Sequence, residues 1–370
     1  MSKILIVDDQ EVNREICEII LAPLQATILT AADGAEGLRL AREHLPDLIL
    51  LDIMMPVLDG YAMLEQLRSQ PELTRLPVLM LTARSDTDSV VKALTMGAND
   101  YLRKPFEDEE MLARAHNLLH ARLLEKRLEE DLAAGAAMQH KYLTNGADLS
   151  KNCYEAGYLA WVRTRPYTTV SGDFFHVRRR DDGSCVLVLA DTCGHGLSAA
   201  LLSMRIIGFL AAMRSLPASP EEYLQQLNQD IHGVLPRGSF VAASCLLLQP
   251  DGFFLANAAQ PYPILLVDGN CEELVLDGPA LGQFAGASFG SHHRTISDGG
   301  RLLLHTDGLL EIMDPQESCY GKQRLDACLK KNRALSGDQL LDALLEDVDA
   351  FRQEREADDD ITLILLEKEG

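Results

Sequence analysis

The sequence predicts an α/β domain followed by an α+β domain, the two joined by a long helix. Three observations carry that expectation. Short apolar runs alternate with helical periodicity up to about residue 105, the pattern of a parallel sheet with helices on both faces. Residues 107–142 contain no proline and a single glycine, Gly135, as a long helix requires. Beyond residue 143 strand-like runs follow one another with helical segments set among them, as in a sheet-rich fold with helical layers.

In the first domain, residues 3–7 read as a strand ending in Asp8 and Asp9, 13–21 as a helix, 26–30 as a strand and 34–43 as a helix. Residues 47–51 form an apolar run ending at Asp52, 60–68 a helix, and 76–81 a strand ending at Thr82. Residues 85–96 are helical, and 100–103 make a short strand before Lys104 and Pro105. Ligands of such sheets bind beyond the carboxyl ends of the strands, where Asp8, Asp9, Asp52, Thr82 and Lys104 all fall. Three carboxylates so placed repel one another unless a cation intervenes, and Mg²⁺ prefers carboxylate oxygens with water and phosphate. A carboxylate can itself accept a phosphoryl group, with Lys104 to pair with it and Thr82 to hydrogen-bond it. Asp33 and Asp59 read as helix caps.

The segments ILIVDD, LLDIMMPVLDG, MLTA and GANDYLRKPF, at their spacing, resemble the receiver domain of two-component response regulators over residues 1–120. The resemblance implies a flavodoxin-like, doubly wound five-stranded parallel sheet. It implies that Asp52 accepts phosphate from a histidine kinase or phosphotransfer protein. It assigns Mg²⁺ to Asp8, Asp9, Asp52 and the Met54 carbonyl, and makes Tyr101 an aromatic switch that follows Thr82, with Lys104 on the phosphoryl group. It also implies a cis Lys104–Pro105 peptide.

The remaining composition is that of an ordinary globular protein: 370 residues, 47% hydrophobic and 24% charged. The net charge of -22 argues against nucleic acid as the main partner, since phosphate backbones demand a basic face. Eight cysteines without a C-x-x-C pair read as reduced core thiols. No run is long and apolar enough to span a membrane, and MSKILIVDDQ, acidic after seven residues, is expected not to be a secretory or transit sequence. A cytoplasmic protein is expected.

The connector, 107–142, opens on Glu107, Asp108, Glu109 and Glu110, which suit a helix start. Leu112, Leu119 and Leu123 extend one apolar stripe and Leu124, Leu128 and Leu132 another. Such a stripe suits a helix pair or a short coiled coil, so a homodimer through this helix is expected; packing on its own domains is the alternative. Gly135 weakens the helix by roughly 1 kcal/mol relative to Ala, making 133–140 a candidate flexing point.

The second domain, 143–370, has strand-like runs at 157–163, 173–178, 184–190, 241–248, 253–256, 263–267, 272–276, 301–305 and 361–366. Helices are expected at 196–213, 220–234, 321–331 and 337–355. A two-residue type I′ turn at Asp182-Gly183 sets Phe174 opposite Asp191 and Asp173 one residue away; a slip of one would leave both aspartates at the same open end. Asp307 follows another strand, and Asp358, Asp359 and Asp360 precede the last one. Acids at four strand ends suit an oxygen-rich site for two hard cations, which together can clamp a phosphoryl group for attack by water.

The segments VSGDFF, ADTCGHGLSAA, FVAASCLLL, ANAAQPYPILL, LHTDGLLE, YGKQRL and DDITLILL, in order, resemble the SpoIIE-type branch of the PPM metal-dependent phosphatases from about Leu132 onward. The resemblance implies a β-sandwich flanked by helices and a serine/threonine phosphatase. It assigns two Mn²⁺ or Mg²⁺ to Asp173, Asp191, Asp307 and Asp359, with the Thr192 carbonyl a further ligand and Asp360 the less certain member of its pair. Gly194 and Gly196 would let the chain turn tightly, with His195 between them a structural loop residue. The substrate implied is a phosphorylated STAS-domain anti-sigma-factor antagonist. Segment LAAGAAMQHKYL resembles the family's regulatory helix. Three departures stand out: His176 for the usual aspartate, Ala258-Ala259-Gln260-Pro261 for A-G-H-P, and Thr192 for valine. SGDFF only superficially matches the GGDEF of diguanylate cyclases, since Phe174 stands where a glutamate is needed. Trp161 reads as core packing and Arg178, Arg179 and Arg180 as a solvated turn flank. The rival reading is a non-catalytic adaptor that binds a sigma or anti-sigma factor under receiver control; retention of all four aspartates favours the enzyme.

Overall fold

Strands that are apolar on both faces need covering layers on both sides, and the first half of the chain supplies them in sequence order. The computed structural model describes every residue except 1, 83–86, 144–145, 195, 214–215, 237 and 268, with the side chains of 87–90 and 140–143 also outside the description. It divides into two compact units, Met1–Asp131 and Leu132–Gly370.

The first unit runs β1 (Lys3–Val7), α1 (Glu11–Leu21), a 3-10 turn (Ala22–Leu24), β2 (Thr27–Ala31), α2 (Gly34–His44), β3 (Leu48–Asp52), α3 (Gly60–Arg68), β4 (Val78–Thr82), α4 (Thr87–Thr95) and β5 (Asp100–Arg103). The strands form one parallel sheet in the order β2-β1-β3-β4-β5. One face, with Leu5, Val7, Leu51 and Met80, packs on α2 and α3. The other, with Ile6, Leu50 and Leu81, packs on α1 and on the start of α5 (Asp108–Leu143). Asp33 caps α2 by accepting from Ala35 and Glu36, and Asp59 caps α3 by accepting from Ala62. The Lys104–Pro105 peptide is cis.

Helix α5 is 36 residues long. Met111, Ala115 and Leu119 are buried in the first unit, and Leu112 is half-buried. Leu123, Leu124 and Leu128 are exposed, and Leu132 is half-buried. No helix among the described residues is long and apolar enough to cross a membrane.

The second unit adds α6 (Gly146–Glu155), β6 (Tyr158–Arg165), β7 (Phe174–Arg179), β8 (Cys185–Thr192), α7 (Leu197–Ala212), α8 (Pro220–Ile231), β9 (Val241–Gln249), β10 (Gly252–Ala258), β11 (Ile264–Val267) and β12 (Asn270–Glu273). It continues with β13 (Ser291–Thr295), β14 (Arg301–His305), α9 (Gly308–Glu311), α10 (Gly321–Lys331), α11 (Gly337–Arg352) and β15 (Ile361–Lys368). Two antiparallel sheets result, β13-β10-β9-β8-β7 and β12-β11-β14-β15-β6. Leu187, Leu189, Leu246 and Phe253 of one meet Leu302, Leu304, Ile364 and Leu366 of the other in the inner core. Helices α7 and α8 cover the outer face of the first sheet, and α10 and α11 that of the second.

Four expectations need correction. The β7–β8 turn is not a two-residue one: Arg180 N donates to the Ser184 carbonyl, and Gly183 sits at φ 86° in a three-residue loop. The Asp182 carboxylate accepts from the Ser184 N–H and hydroxyl, which stabilises the longer loop and slips the register by one, so that Phe174 pairs with Ala190. Strand β12 stops at Glu273, because Leu274 and Leu276 turn into the inner core. Arg178 and Arg180 are not merely solvated: Arg178 donates to the carbonyls of Leu210 in the last turn of α7 and of Met213 just past it, and Arg180 to those of Pro217 and Ala218 further on. Not every thiol is in the core either; all eight cysteines are free, but Cys319 is exposed and Cys193 and Cys271 are half-buried.

Candidate functional sites

The carboxyl end of the first sheet gathers Asp8, Asp52, Thr82 and Lys104. Asp8 and Asp52 are buried, as is Thr82. Lys104 Nζ bridges them, 2.6 Å from Asp8 Oδ2 and 2.5 Å from Asp52 Oδ1. Asp8 also accepts from the Gln10 N–H and from Asn13, and Asp52 Oδ2 accepts from the Met54 N–H at 2.9 Å. Burial pushes the Asp52 pKa up, against the Lys104 bond and with the help of Asp8. Burial alone would discharge Lys104, but its bonds to Asp52 and Asp8 prevail and its pKa is raised. Two carboxylates therefore share one ammonium. Asp9 and Met54 are exposed at the rim, and Tyr101 is half-buried against the α2/α3 face of the core. Hard oxygens in excess of positive charge fit Mg²⁺.

In the second unit the acids come from both sheets. β8 is an apolar interior strand whose last two residues are Asp191, paired with Ala242 of β9, and Thr192. The β7–β8 register carried one step further sets Asp173 directly opposite Asp191, close enough for the Asp173 carboxyl to push up the pKa of Asp191. Asp307 follows β14 at the start of α9, and Asp359 precedes β15.

Close backbone approach makes this convergence possible. A Cβ on Gly308 would lie 2.0 Å from the Asp360 carbonyl oxygen, so only glycine lets α9 meet the 359–360 turn. A Cβ on Gly172 would lie 2.8 Å from Thr192 Oγ1 and 3.2 Å from the Thr192 carbonyl oxygen. The Thr192 hydroxyl in turn donates to the Gly172 and Ala199 carbonyls, both at 3.2 Å, tying the end of β8 to the first turn of α7.

The neighbouring acids Asp359 and Asp360 divide their work. Asp360 is buried, and its two oxygens accept from the Tyr167 and Gly172 N–H groups, each at 2.7 Å. Asp359 is half-buried; among the described residues its Oδ1 accepts from the Asp360 N–H alone. Thr306 donates to Asp173 Oδ2 at 2.8 Å, and its hydroxyl accepts from the Thr362 N–H at 2.9 Å. Sequence reasoning missed both Thr306 and the Asp360 clamp. A polar residue beside Asp307 at a strand end was the available signal for the first, and nothing distinguished the second from its twin.

Burial, then the charges of Asp360 and Asp307, push the Asp173 pKa well above the carboxylate range. Burial, then Asp173, Asp307 and Asp359, do the same to Asp191. Asp359 is raised by burial despite its backbone bond, with Asp307 and Asp360 adding to it. Among the described residues no three such side chains already stand at coordinating distance; Asp173 lies against Asp191, Asp307 acts on both through charge, and Asp359 on Asp191. The donor set is all oxygen, crowded and short of positive charge, which fits hard divalent cations.

The departures are placed as follows. His176, three residues along β7 from Asp173 and paired with Val188, has its Nε2 buried with no hydrogen-bond partner among the described residues, and burial, then Arg178, pulls its pKa down to about 4. Gln260 is buried, donating to the His305 carbonyl at 3.4 Å, with its Oε1 unpartnered among the described residues. Ala259 adopts the left-handed conformation, φ 57°. Gly194 and Gly196 both have positive φ, and His195 lies outside the described residues.

Comparison with known proteins agrees with this division. Structurally, the SiaA-PP2C domain of Pseudomonas aeruginosa superposes with a TM-score of 0.59 at 20% identity, covering 66% of this chain and 98% of that one, and shows the PP2C fold. By sequence, the transcriptional regulator RpaA of Synechocystis is 41% identical over 119 residues, which is 32% of this chain and 49% of RpaA. The response regulator PleD of Caulobacter vibrioides is 36% identical over 137 residues, 37% of this chain and 30% of PleD. The chain spans 8% of one curated relative and 56% of another, so whole-protein roles do not carry over. Residues 4–116 match the response regulator receiver domain, and residues 181–369 match Stage II sporulation protein E (SpoIIE), a stretch that includes Asp191, Asp307 and Asp359 while Asp173 precedes it. With that second match spanning just over half its length, the chain belongs to the SpoIIE family, as a member headed by a response-regulator receiver domain.

Proposed function

We propose that phosphorylation of Asp52 by a histidine kinase or phosphotransfer protein controls a metal-dependent serine/threonine phosphatase in residues 143–370, with 1–120 as receiver and 107–142 as connector. The observation that carries this reading is the Asp173–Asp191 contact, with Asp307 and Asp359 acting on the same charges. Asp173, Asp191, Asp307, Asp359 and the Thr192 carbonyl would hold two Mn²⁺ or Mg²⁺; Asp8, Asp9, Asp52 and the Met54 carbonyl would hold the receiver's Mg²⁺. Bound divalent cations supply a water acidic enough to attack and neutralise charge on the phosphoryl oxygens. The chain's own part is positional. Thr306 orients the Asp173 carboxylate, and Asp360 pins the loop that presents Asp173. In the receiver, Lys104 pairs with the phosphoryl group on Asp52, Thr82 hydrogen-bonds it, and Tyr101 repacks in response.

The substrate class we infer is phosphoserine or phosphothreonine on a STAS-type anti-sigma-factor antagonist, in the cytoplasm. The exposed Leu123, Leu124 and Leu128 on α5 support homodimerisation through the connector. A second reading, the non-catalytic adaptor for a sigma or anti-sigma factor, draws on the stand-off of Asp307 from the touching pair. Phosphate release from a phosphopeptide with Mn²⁺, compared with Asp191→Ala, decides between them. Turnover by the wild type alone supports the phosphatase, and equal inertness of both across metals leaves the adaptor. Beryllofluoride, a phosphoryl mimic, should change turnover or oligomeric state, and Asp52→Ala should abolish the change.

A further inference from the structure

A cavity of about 510 Å³ opens beside Asp359, with Glu311, Met313, Arg355 and Asp358 in its lining. One wall is a braced turn. Met313 and Cys319 pair across it, Asp314 N donates to the Ser318 carbonyl, and Asp314 Oδ1 accepts from the Gln316 and Ser318 N–H groups. Arg355 is the only cation in the described lining, in a chain of net charge -22. Its guanidinium donates to the Asp314 carbonyl at 3.3 Å and pairs with Asp358 at 3.3 Å, with 31% and 51% of the two side chains exposed. An arginine has five N–H donors in a planar fork, so two long, half-exposed contacts leave it able to take an oxyanion in bidentate fashion. The other charged side chains in the described lining, Glu311, Asp358 and Asp359, are all carboxylates and would repel an anionic substrate; this arginine offsets that at the approach to Asp359.

Resting on the phosphatase reading above, we propose that this cavity is the docking subsite for the substrate's peptide segment. Arg355 is then its specificity-determining residue, exchanging Asp358 for an oxyanion of the substrate, either the phosphoryl group itself or a carboxylate flanking it.

The test uses the full chain with Mn²⁺ and compares wild type, Arg355→Gln and Arg355→Lys on three probes: p-nitrophenyl phosphate, a phosphoserine peptide with neutral flanks, and one with acidic flanks. Losing a charge-assisted contact should raise KM for phosphopeptide by about tenfold or more, with kcat changed far less and with Arg355→Lys recovering part of the loss. A rise shared by all three probes assigns the phosphoryl group, and a rise confined to the acidic peptide assigns the flanking carboxylate. KM within twofold of wild type on every probe overturns the subsite and leaves the phosphatase reading intact. Should the wild type turn over nothing in any metal, the phosphatase reading fails, and fluorescence anisotropy of the labelled peptides decides the subsite. Weaker binding by Arg355→Gln then sustains it, whereas equal binding, or none by the wild type, overturns it.

Discussion

Gln139 grips both backbone groups of Ser171: its Nε2 donates to the Ser171 carbonyl at 2.6 Å, and its Oε1 accepts from the Ser171 N–H at 3.1 Å. Ser171 lies two residues before Asp173, and the same Nε2 is 3.2 Å from Ser203 Oγ of α7. A side chain of α5, the helix that begins in the receiver unit, therefore fixes the backbone that presents the first acid. Gln139→Ala leaves the half-buried Ser171 N–H without this acceptor and its carbonyl with only the long Ser203 hydroxyl bond at 3.5 Å among the described residues, a loss of about 1–3 kcal/mol. Urea denaturation should show that loss, and isothermal titration should show weaker Mn²⁺ binding. Gln139→Glu, which keeps the acceptor but sets a carboxylate oxygen against the Ser171 carbonyl in a buried position, should lose at least as much as Gln139→Ala.

Gly308→Ala should be among the most damaging single changes in the second unit. The added methyl would sit 2.0 Å from the Asp360 carbonyl oxygen, which is backbone and has little room to give. Overpacking of this kind costs about 1–3 kcal/mol. Here it also pushes Asp307 away from Asp359, so phosphate release should drop more than thermal stability does.

Without cations, stability should fall as the solution becomes more alkaline. Asp173 and Asp191 have raised pKa values in the folded chain, because of burial and then of neighbouring charge. A carboxyl that holds its proton more tightly when folded contributes fully below its unfolded pKa, about 4, and loses that contribution as pH rises through the folded value. In chelator, the melting temperature should decline from mildly acid to neutral pH. Asp191→Asn should flatten the decline, and Mn²⁺ should reverse it. Asp52 shifts in the same direction, so the difference between wild type and Asp191→Asn isolates the second unit.

His176 should impose the opposite slope. Its folded pKa of about 4 lies below the unfolded 6.5. Its contribution is therefore complete above the unfolded value and is lost as pH falls through the folded one, amounting to at most about 3 kcal/mol. His176→Phe should make urea midpoints less sensitive to acid across that window. No change in sensitivity would mean the imidazole is solvated after all.

The strand-end acids were legible because apolar runs stop where charge begins, and the two sheets inherit that punctuation. The β7–β8 register was not, since Asp-Gly serves both a two-residue turn and the three-residue loop found here. Only the bond from Asp182 to Ser184 separates the two. Strand β13, SHHRT, was missed because it is an edge strand with one half-buried residue and four exposed ones, and so lacks apolar alternation. The polar helix α6 escaped for the same reason. The division between Asp359 and Asp360 depends on which carboxylate meets two N–H groups from a loop nearly two hundred residues earlier, and local patterning carries no such information. Gln139 gave no sign either, being an unremarkable helix former until its partner is known.

Asp173 and Asp191 ride on one sheet of the sandwich, whereas Asp307 and Asp359 ride on the other. The centre is thus read like a vernier, its two scales engraved on separate layers. A displacement of one layer along the other that would barely disturb an aliphatic interior would misalign the oxygens that the proposed phosphatase needs on shared ions. On that reading, anything that nudges the layers slightly would throttle turnover without touching a single reacting group.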